Sequence, residues 1–173
     1  MQNRAKSGKS ERKMRMYRIM FVCHGNICRS PMAEMIFVEL LRQRNLLHQF
    51  HIASSATSTE EIIRGVGNPI YPPARAELEK HHIPCHPHAA TQLRKSDYQS
   101  YDLLIGMDDA NLRNMKRILG SDPEGKIQSF RHADGTPIRV ADPWYSGNFS
   151  AAFRDIYEGC TVLLESLLHA SDA

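Results

Sequence analysis

No apolar run in this sequence approaches the roughly 20 residues that a membrane-spanning helix needs. The N-terminus is basic, but the first apolar run, residues 19–22, is too short to be the core of a signal peptide. Apolar residues make up 42% and charged residues 24% of the chain, which is typical of a globular protein. We therefore expect a cytoplasmic protein with no membrane association.

Cysteine is also scarce, and its distribution argues against a structural framework. The four cysteines are Cys23, Cys28, Cys85 and Cys160. Disulfide scaffolds belong to secreted proteins, and no cysteine pair here has the spacing of a zinc ribbon. The histidines within residues 81–88 supply no full set of metal ligands, and prolines among them indicate an irregular loop. We expect no metal ion and no cofactor.

A strong excess of one sign of charge is absent outside the N-terminus. Residues 1–16 carry six basic side chains and one acidic side chain, whereas the formal net charge of the whole chain is only +3. We predict a flexible basic arm over residues 1–15 and one folded domain over residues 16–173. Because that domain is not basic, we expect no nucleic-acid partner, and we expect a monomer.

Apolar residues alternate between short continuous runs and helical stripes. The pattern predicts strands at residues 18–23, 50–54, 101–107 and 126–130, and helices from Ser30-Pro31 onward and at residues 74–82, 109–119 and 149–169. A long loop spans residues 57–73, and Asp134-Gly135 marks a turn. The alternation indicates an α/β fold whose parallel sheet is covered on both faces, with a ligand site beyond the carboxyl ends of the strands.

The stretch VCHGNICRSP, residues 22–31, lies between the first strand and the first helix. N–H groups at a helix N-terminus bind anions, and Gly25 and Asn26 tolerate the left-handed backbone angles that let several N–H groups converge. Arg29 adds a planar fork that suits two oxygens of one phosphate. We expect this loop to hold one phosphoryl group through His24, Gly25, Asn26, Ile27, Cys28, Arg29 and Ser30.

Cys23 begins the loop, so we expect its sulfur beneath the phosphate. The helix N-terminus, the converging N–H groups and Arg29 all favour the thiolate, which is the nucleophilic form. The Ser30 hydroxyl is close enough in sequence to donate to the sulfur. No Gly-Lys-Ser/Thr sequence follows the glycine, so the loop does not resemble a nucleotide-binding loop of the Walker type.

An acid for the leaving group is expected at Asp142, in the sequence Asp142-Pro143-Trp144-Tyr145. We expect Trp144 and Tyr145 to wall a slot for a flat leaving group and to keep water off Asp142, which helps its carboxyl to stay protonated when phosphate binds. An Asp-Pro turn is common by itself. Its combination with a Cys-x5-Arg loop favours catalysis.

The motifs Cys23-His-Gly-Asn-Ile-Cys-Arg-Ser-Pro31 and Asp142-Pro-Trp-Tyr145 resemble the low-molecular-weight protein tyrosine phosphatase family, over roughly residues 16–169. The resemblance implies a flavodoxin-like, doubly wound sheet of four parallel strands in the order 2-1-3-4. It also implies hydrolysis of phosphotyrosine in protein substrates, without a metal, and inhibition by phosphate or other oxyanions.

The resemblance further implies individual roles. Cys23 is the expected nucleophile that forms a phosphocysteine, Arg29 holds the phosphoryl oxygens, and Asp142 protonates the phenolate and then activates water. Supporting hydrogen bonds are expected from Asn26 to Ser30, Ser54 and His88. Cys28 is expected to pair with Cys23 under oxidation.

The chain departs from the family pattern near the mouth of the expected pocket. His24 stands where the family often has leucine or threonine, and Thr59-Glu60-Glu61 stands where it often has an aromatic residue. His88-Ala-Ala-Thr91 replaces a common His-x-Ala-Arg, and residues 131–141 look longer than usual.

Three alternative functions remain beside tyrosine phosphatase. Arsenate reduction uses the same thiolate but needs a relay of further cysteines, and we expect Cys85 and Cys160 to be buried structural cysteines instead. Phosphoarginine phosphatases on this fold tend to carry threonine at the position of Ile27. A phosphate-binding module without activity would need neither the Cys23 thiolate nor Asp142.

Overall fold

The computed structural model describes residues 15–172. The basic arm predicted over residues 1–15 therefore falls, apart from Arg15, outside the described residues. In chain order the elements are β1 (Tyr17–Cys23), α1 (Arg29–Gln43), a 3-10 turn (Leu47–Gln49), β2 (Phe50–Ala56), β3 (Ile62–Ile63), β4 (Val66–Gly67), α2 (Pro72–Lys80), α3 (Asp97–Ser100), β5 (Leu103–Gly106), α4 (Asp109–Leu119), β6 (Ile127–Ser129), α5 (Pro143–Ser146) and α6 (Phe149–Ser171).

Four of the strands form one parallel sheet in the order β2-β1-β5-β6. The four strands of this sheet therefore follow the order 2-1-3-4, which confirms the predicted topology. The pairing of β1 with β2 runs from Tyr17 opposite Phe50 to Cys23 opposite Ala56. β1 is central, and its residues from Ile19 onward are almost fully buried.

The side chains of β1 alternate between two apolar layers, as the period of a strand requires. Ile19, Phe21 and Cys23 belong to a large cluster formed with α1, α2 and α6. Met20 and Val22 belong to a smaller cluster on the other face, which includes Leu104, Met115 and Leu119 from β5 and α4. Helices thus cover both faces of the sheet, which confirms the doubly wound α/β fold.

The region predicted as a loop over residues 57–73 and a helix over 74–82 differs in the structure. It contains a two-stranded antiparallel hairpin, β3–β4, and the helix runs from Pro72 to Lys80. The helix starts earlier because Pro72 and Pro73 occupy its first turn, where a missing N–H leaves no hydrogen bond unmade. The hairpin strands have two residues each, too short to produce a periodic pattern.

The turn expected at Asp134-Gly135 is present. Gly135 has φ of +87°, and its N–H donates to the His132 carbonyl at 3.0 Å. The chain on either side pairs through an antiparallel bridge between Arg131 and Pro137. Within residues 15–172, no helix is long and apolar enough to cross a bilayer.

Candidate active site

The loop from Cys23 to Ser30 joins the carboxyl end of β1 to the first turn of α1, and it curls around the Cys23 sulfur. Asn26 adopts a left-handed φ of +58°, and its N–H donates to that sulfur at an N···S distance of 3.3 Å. Ser30 Oγ lies 3.1 Å from the same sulfur. Cys23 itself is 3% exposed, so these two contacts are made in a nearly dry environment.

Asn26 is fully buried, and the loop is shaped by the hydrogen bonds of its side chain and carbonyl. Its Nδ2 donates to Ser30 Oγ at 2.8 Å and to Ser54 Oγ at 2.9 Å. Its Oδ1 accepts from the Thr91 N–H at 3.0 Å, and its carbonyl accepts from His88 Nε2 at 2.6 Å. The strained backbone of Asn26 is therefore held by four separate contacts.

Arg29 is the largest buried polar side chain of the site, with 2% of its area exposed. Its Nη1 donates to Asp108 Oδ2 at 2.6 Å and to the Val140 carbonyl at 3.0 Å. Its Nη2 donates to Asp142 Oδ2 at 3.3 Å. Asp142 in turn accepts from the Trp144 N–H at 3.0 Å, so that it caps the short helix α5.

A cavity of about 110 Å³ joins these groups. It is lined by Cys23, His24, Gly25, Ile27, Cys28, Arg29, Glu60, Glu61, Asp142, Trp144 and Tyr145. Four further residues lie behind this lining. Asn26 and Ser30 belong to the loop itself, and Ser54 and His88 form hydrogen bonds with Asn26. The structure thus brings the expected loop, the carboxylate and both aromatic residues into one site.

A family model described as low molecular weight phosphotyrosine protein phosphatase matches residues 18–172. The chain belongs to the low-molecular-weight phosphotyrosine protein phosphatase family.

Relatives of the chain include the low molecular weight phosphotyrosine protein phosphatase of Gallus gallus, 37% identical over 153 residues that cover 87% of this chain and 92% of the relative. The human protein of the same description is 35% identical, with coverage of 82% and 87%. Among solved structures, YfkJ from Bacillus subtilis matches with a TM-score of 0.81 and 30% identity, covering 90% of this chain and 96% of that one. The low-molecular-weight protein tyrosine phosphatase from Streptococcus pyogenes matches with a TM-score of 0.75 and 33% identity, covering 88% and 93%.

Membership of the phosphatase family makes the chain an enzyme, a protein-tyrosine phosphatase among the hydrolases, which acts on phosphoproteins. The predicted family and enzyme class are thereby confirmed. Among residues 15–172, no three His, Cys, Asp or Glu side chains are grouped in a way that could hold a metal ion.

Two residues of the phosphatase site were not anticipated from the sequence. Asp108 follows β5 and caps α4, where its Oδ1 accepts from the Asn111 N–H at 2.7 Å while its other oxygen holds Arg29. A carboxylate at the end of a strand adjacent to β1 is a usable signal once the strand order is known. Glu34 lies on α1 and accepts from Ser54 Oγ at 2.6 Å, and burial raises the pKa of its carboxyl.

The aromatic wall is more open than expected. Trp144 is 51% and Tyr145 85% exposed, while the Asp142 side chain keeps 24% of its area exposed. Trp144 packs instead on Tyr71, with ring centroids 4.8 Å apart. The two rings line the rim of the cavity and leave Asp142 in partial contact with solvent.

The remaining cysteines differ sharply in environment, and all four thiols are free. Cys160 is fully buried and donates weakly to the Ala33 carbonyl, as expected for a core residue. Cys85 was also expected to be buried but is partly exposed, because it lies in the irregular segment after α2. Burial, together with the nearby Cys23, raises the pKa of Cys28 to about 12, so its thiol stays protonated at neutral pH.

Proposed function

We propose that the chain hydrolyses phosphotyrosine and other aryl phosphate monoesters in two steps, through a phosphocysteine on Cys23. The observation that carries this proposal is the shared cavity, in which the Cys23 sulfur, the Arg29 guanidinium and the Asp142 carboxylate lie together. A phosphoryl group held by the loop N–H groups and Arg29 lies directly over the sulfur. That is the arrangement required for in-line attack on phosphorus.

In the first step the Cys23 thiolate forms an S–P bond while the P–O bond to the tyrosine breaks. Two contacts stabilise negative charge on the attacking sulfur: the Asn26 N–H at 3.3 Å and the Ser30 hydroxyl at 3.1 Å. Arg29 is held by Asp108 and the Val140 carbonyl, so its guanidinium is fixed before substrate arrives. Such preorganised charge stabilises the equatorial oxygens of the transition state.

The leaving phenolate takes its proton from Asp142. Asp142 is paired with Arg29 at 3.3 Å, and a phosphate dianion competes with it for the same guanidinium. The added negative charge favours the protonated form of a neighbouring carboxyl group, which is the form that a general acid needs.

In the second step Asp142, now ionised, accepts a proton from water as the water oxygen attacks phosphorus. The S–P bond breaks, inorganic phosphate leaves, and the Cys23 thiolate is restored. The Ser30 hydroxyl stabilises the departing sulfur by a hydrogen bond. Arsenate reduction would need a relay of further cysteines. The fully buried Cys160 is not available for such a relay, which argues against that alternative.

Rapid mixing with 4-nitrophenyl phosphate tests the proposal. The wild-type protein is expected to release one equivalent of 4-nitrophenol in a burst before steady turnover, since the phosphocysteine accumulates. The Cys23→Ser variant is expected to give neither burst nor turnover while it still binds phosphate. Turnover by that variant, or by a Cys23-alkylated protein, would contradict the mechanism.

A further inference from the structure

The segment between β2 and α2 forms a wall beside the mouth of the cavity. It is fixed at its base, because the Ala90 N–H donates to the Asn68 carbonyl at 2.9 Å and the Asn68 N–H donates to the Glu61 carbonyl at 2.8 Å. Gly67 packs so closely on this base that a Cβ there would lie 1.9 Å from the Ala90 oxygen. The wall is therefore attached to the same segment whose Thr91 N–H holds Asn26.

Glu61 is the inner carboxylate of this wall. Its Oε2 accepts a hydrogen bond from Asn68 Nδ2 at 2.8 Å, and this bond holds the side chain in place where it lines the cavity. Its Cγ rests against Gly25, where an added Cβ would lie 3.2 Å away. The loop glycine thus leaves space for a carboxylate directly beside the phosphate site.

Glu60 is the outer carboxylate, and its partner is the unusual His24. His24 Nε2 lies 3.0 Å from Glu60 Oε2, with 44% of the His24 side chain and 69% of the Glu60 side chain exposed. The pair turns Glu60 toward the mouth, and both residues line the same cavity as Cys23. Glu60 keeps its second carboxylate oxygen and most of its surface available to a substrate.

We propose that Glu60 and Glu61 are specificity-determining residues that favour phosphotyrosine sites flanked by lysine or arginine. This inference rests on the proposed tyrosine phosphatase function. With the phosphoryl group on the cavity floor, the tyrosine ring lies between the glutamate wall and the rim of Trp144 and Tyr145. The residues next to the phosphotyrosine then pass over the rim, within reach of the two carboxylates.

The charge balance at the mouth supports a basic partner. Three carboxylates line the cavity, namely Glu60, Glu61 and Asp142, whereas the single guanidinium is already engaged with Asp108 and Asp142. An acidic residue beside the phosphotyrosine is repelled by this wall, and a basic one is attracted. Exposed ion pairs of this kind change affinity by about two- to fivefold each, so two of them favour a basic over an acidic flank by about four- to 25-fold.

The test compares phosphotyrosyl peptides that are identical except for lysine, glutamine or glutamate on both sides of the phosphotyrosine. The measured quantity is the ratio of kcat/KM for the lysine peptide to that for the glutamate peptide, which cancels any general change in activity. It is determined for the wild type, for the double variant Glu60→Gln/Glu61→Gln, and for Glu124→Gln. Glu124 is a matched control, since it is exposed and pairs with Lys126 at the opposite end of the sheet.

We expect a ratio of about four to 25 for the wild type and for Glu124→Gln, falling toward one in the double variant and at high salt. A wild-type ratio near one, or a ratio retained in the double variant, would overturn the inference while leaving the phosphatase function intact. Failure of the wild type to hydrolyse both the peptides and 4-nitrophenyl phosphate would overturn the proposed function itself, and the inference with it.

Discussion

Arg29 Nη1 donates a 2.6 Å hydrogen bond to Asp108 Oδ2, which joins two residues 79 positions apart in the sequence. The guanidinium lies at the start of α1 and the carboxylate at the start of α4, on neighbouring strand ends of the sheet. Since Arg29 is 2% exposed, its charge depends on partners within the protein rather than on water. The strand order β1-β5 is what makes this pair available to the phosphate loop.

Asp108→Asn is expected to lower kcat/KM for an aryl phosphate by about 10- to 100-fold, because the Arg29 guanidinium loses its charged anchor and its position relaxes. The asparagine oxygen still caps α4, so most of the loss is expected in activity rather than in folding. Steady-state kinetics together with thermal unfolding separate the two effects.

Asp109→Asn is the matched control, because Asp109 is adjacent, half exposed and paired with Arg139 on the surface. Equal losses of activity in the Asp108 and Asp109 variants would contradict the anchoring role.

Asp142→Asn is expected to reduce kcat/KM by about 10²- to 10⁴-fold for phosphates with poor leaving groups. The loss should shrink for leaving groups that depart without protonation, so a plot of log kcat/KM against the leaving-group pKa should steepen. Asparagine retains an oxygen that accepts from the Trp144 N–H, so α5 keeps its cap. A uniform loss across the series would show that Asp142 acts only through Arg29.

The two central strands, β1 and β5, could be predicted from the sequence because each contains a continuous apolar run and is followed by a helix. The order of the strands in the sheet followed from the resemblance to a known family. The loop from Cys23 to Ser30 was identified because its combination of cysteine, glycine, asparagine and arginine is typical of a phosphate-binding nucleophile site. The hairpin β3–β4 could not be predicted, since two-residue strands carry no periodicity.

Two residues of the site, Glu34 and Asp108, were not predicted from the sequence because the role of each depends on contacts with residues distant in sequence. Glu34 lies on α1 outside its apolar stripe, and the sequence does not distinguish it from a surface glutamate until β2 places Ser54 beside it. Asp108 looks like an ordinary helix cap until β5 pairs with β1. The local sequence pattern predicts individual helices and strands. Contacts such as Glu34–Ser54 and Arg29–Asp108 can be inferred only when the order of the strands in the sheet is known.

Glu34→Gln is expected to change the pH dependence of stability. Burial raises the pKa of Glu34 above its usual 4.5, despite the Ser54 hydrogen bond and the nearby His88 and His86. The native state therefore holds this proton more tightly than the unfolded state, and the free energy of unfolding falls as pH rises from about 4.5 through the raised value. The variant lacks this decline, so its stability relative to wild type should rise across that window.

Urea unfolding at a series of pH values measures this difference, and Glu39→Gln provides the opposite control on the same helix. Hydrogen bonds from Arg42 lower the pKa of Glu39 below 4.5. Its contribution to stability is present above 4.5 and is lost as pH falls through the lowered value. Parallel pH profiles for the two variants would contradict the assignment.

Cys28 is expected to resist alkylation although it lies in the phosphate loop. With a pKa raised to about 12 by burial, it provides almost no thiolate at pH 8. In the folded Cys23→Ser variant, iodoacetamide followed by peptide mapping should label the partly exposed Cys85 before Cys28. Labelling of Cys28 as fast as Cys85, without unfolding, would contradict the buried thiol.

Gly67→Ala tests whether the hairpin supports the phosphate loop through Ala90 and Thr91. The added Cβ would lie 1.9 Å from the Ala90 oxygen and 2.6 Å from its nitrogen, so the backbone must separate. Overpacking of this kind costs about 1–3 kcal/mol of folding free energy, and the atoms that the Cβ would meet belong to the backbone of Ala90 rather than to a flexible side chain. Because Thr91 N–H holds Asn26 Oδ1 at 3.0 Å, kcat/KM for 4-nitrophenyl phosphate should also fall.

Gly65→Ala separates the loss of folding stability from the loss of loop support within the same hairpin. Gly65 has φ of +77°, and a Cβ there meets nothing within 4 Å. An alanine in this conformation costs about 1 kcal/mol through backbone strain alone. We therefore expect Gly65→Ala to lower the melting temperature but to leave kcat/KM unchanged, whereas Gly67→Ala lowers both. If the two variants lost stability and activity in the same proportion, the coupling between the hairpin and Asn26 would be absent.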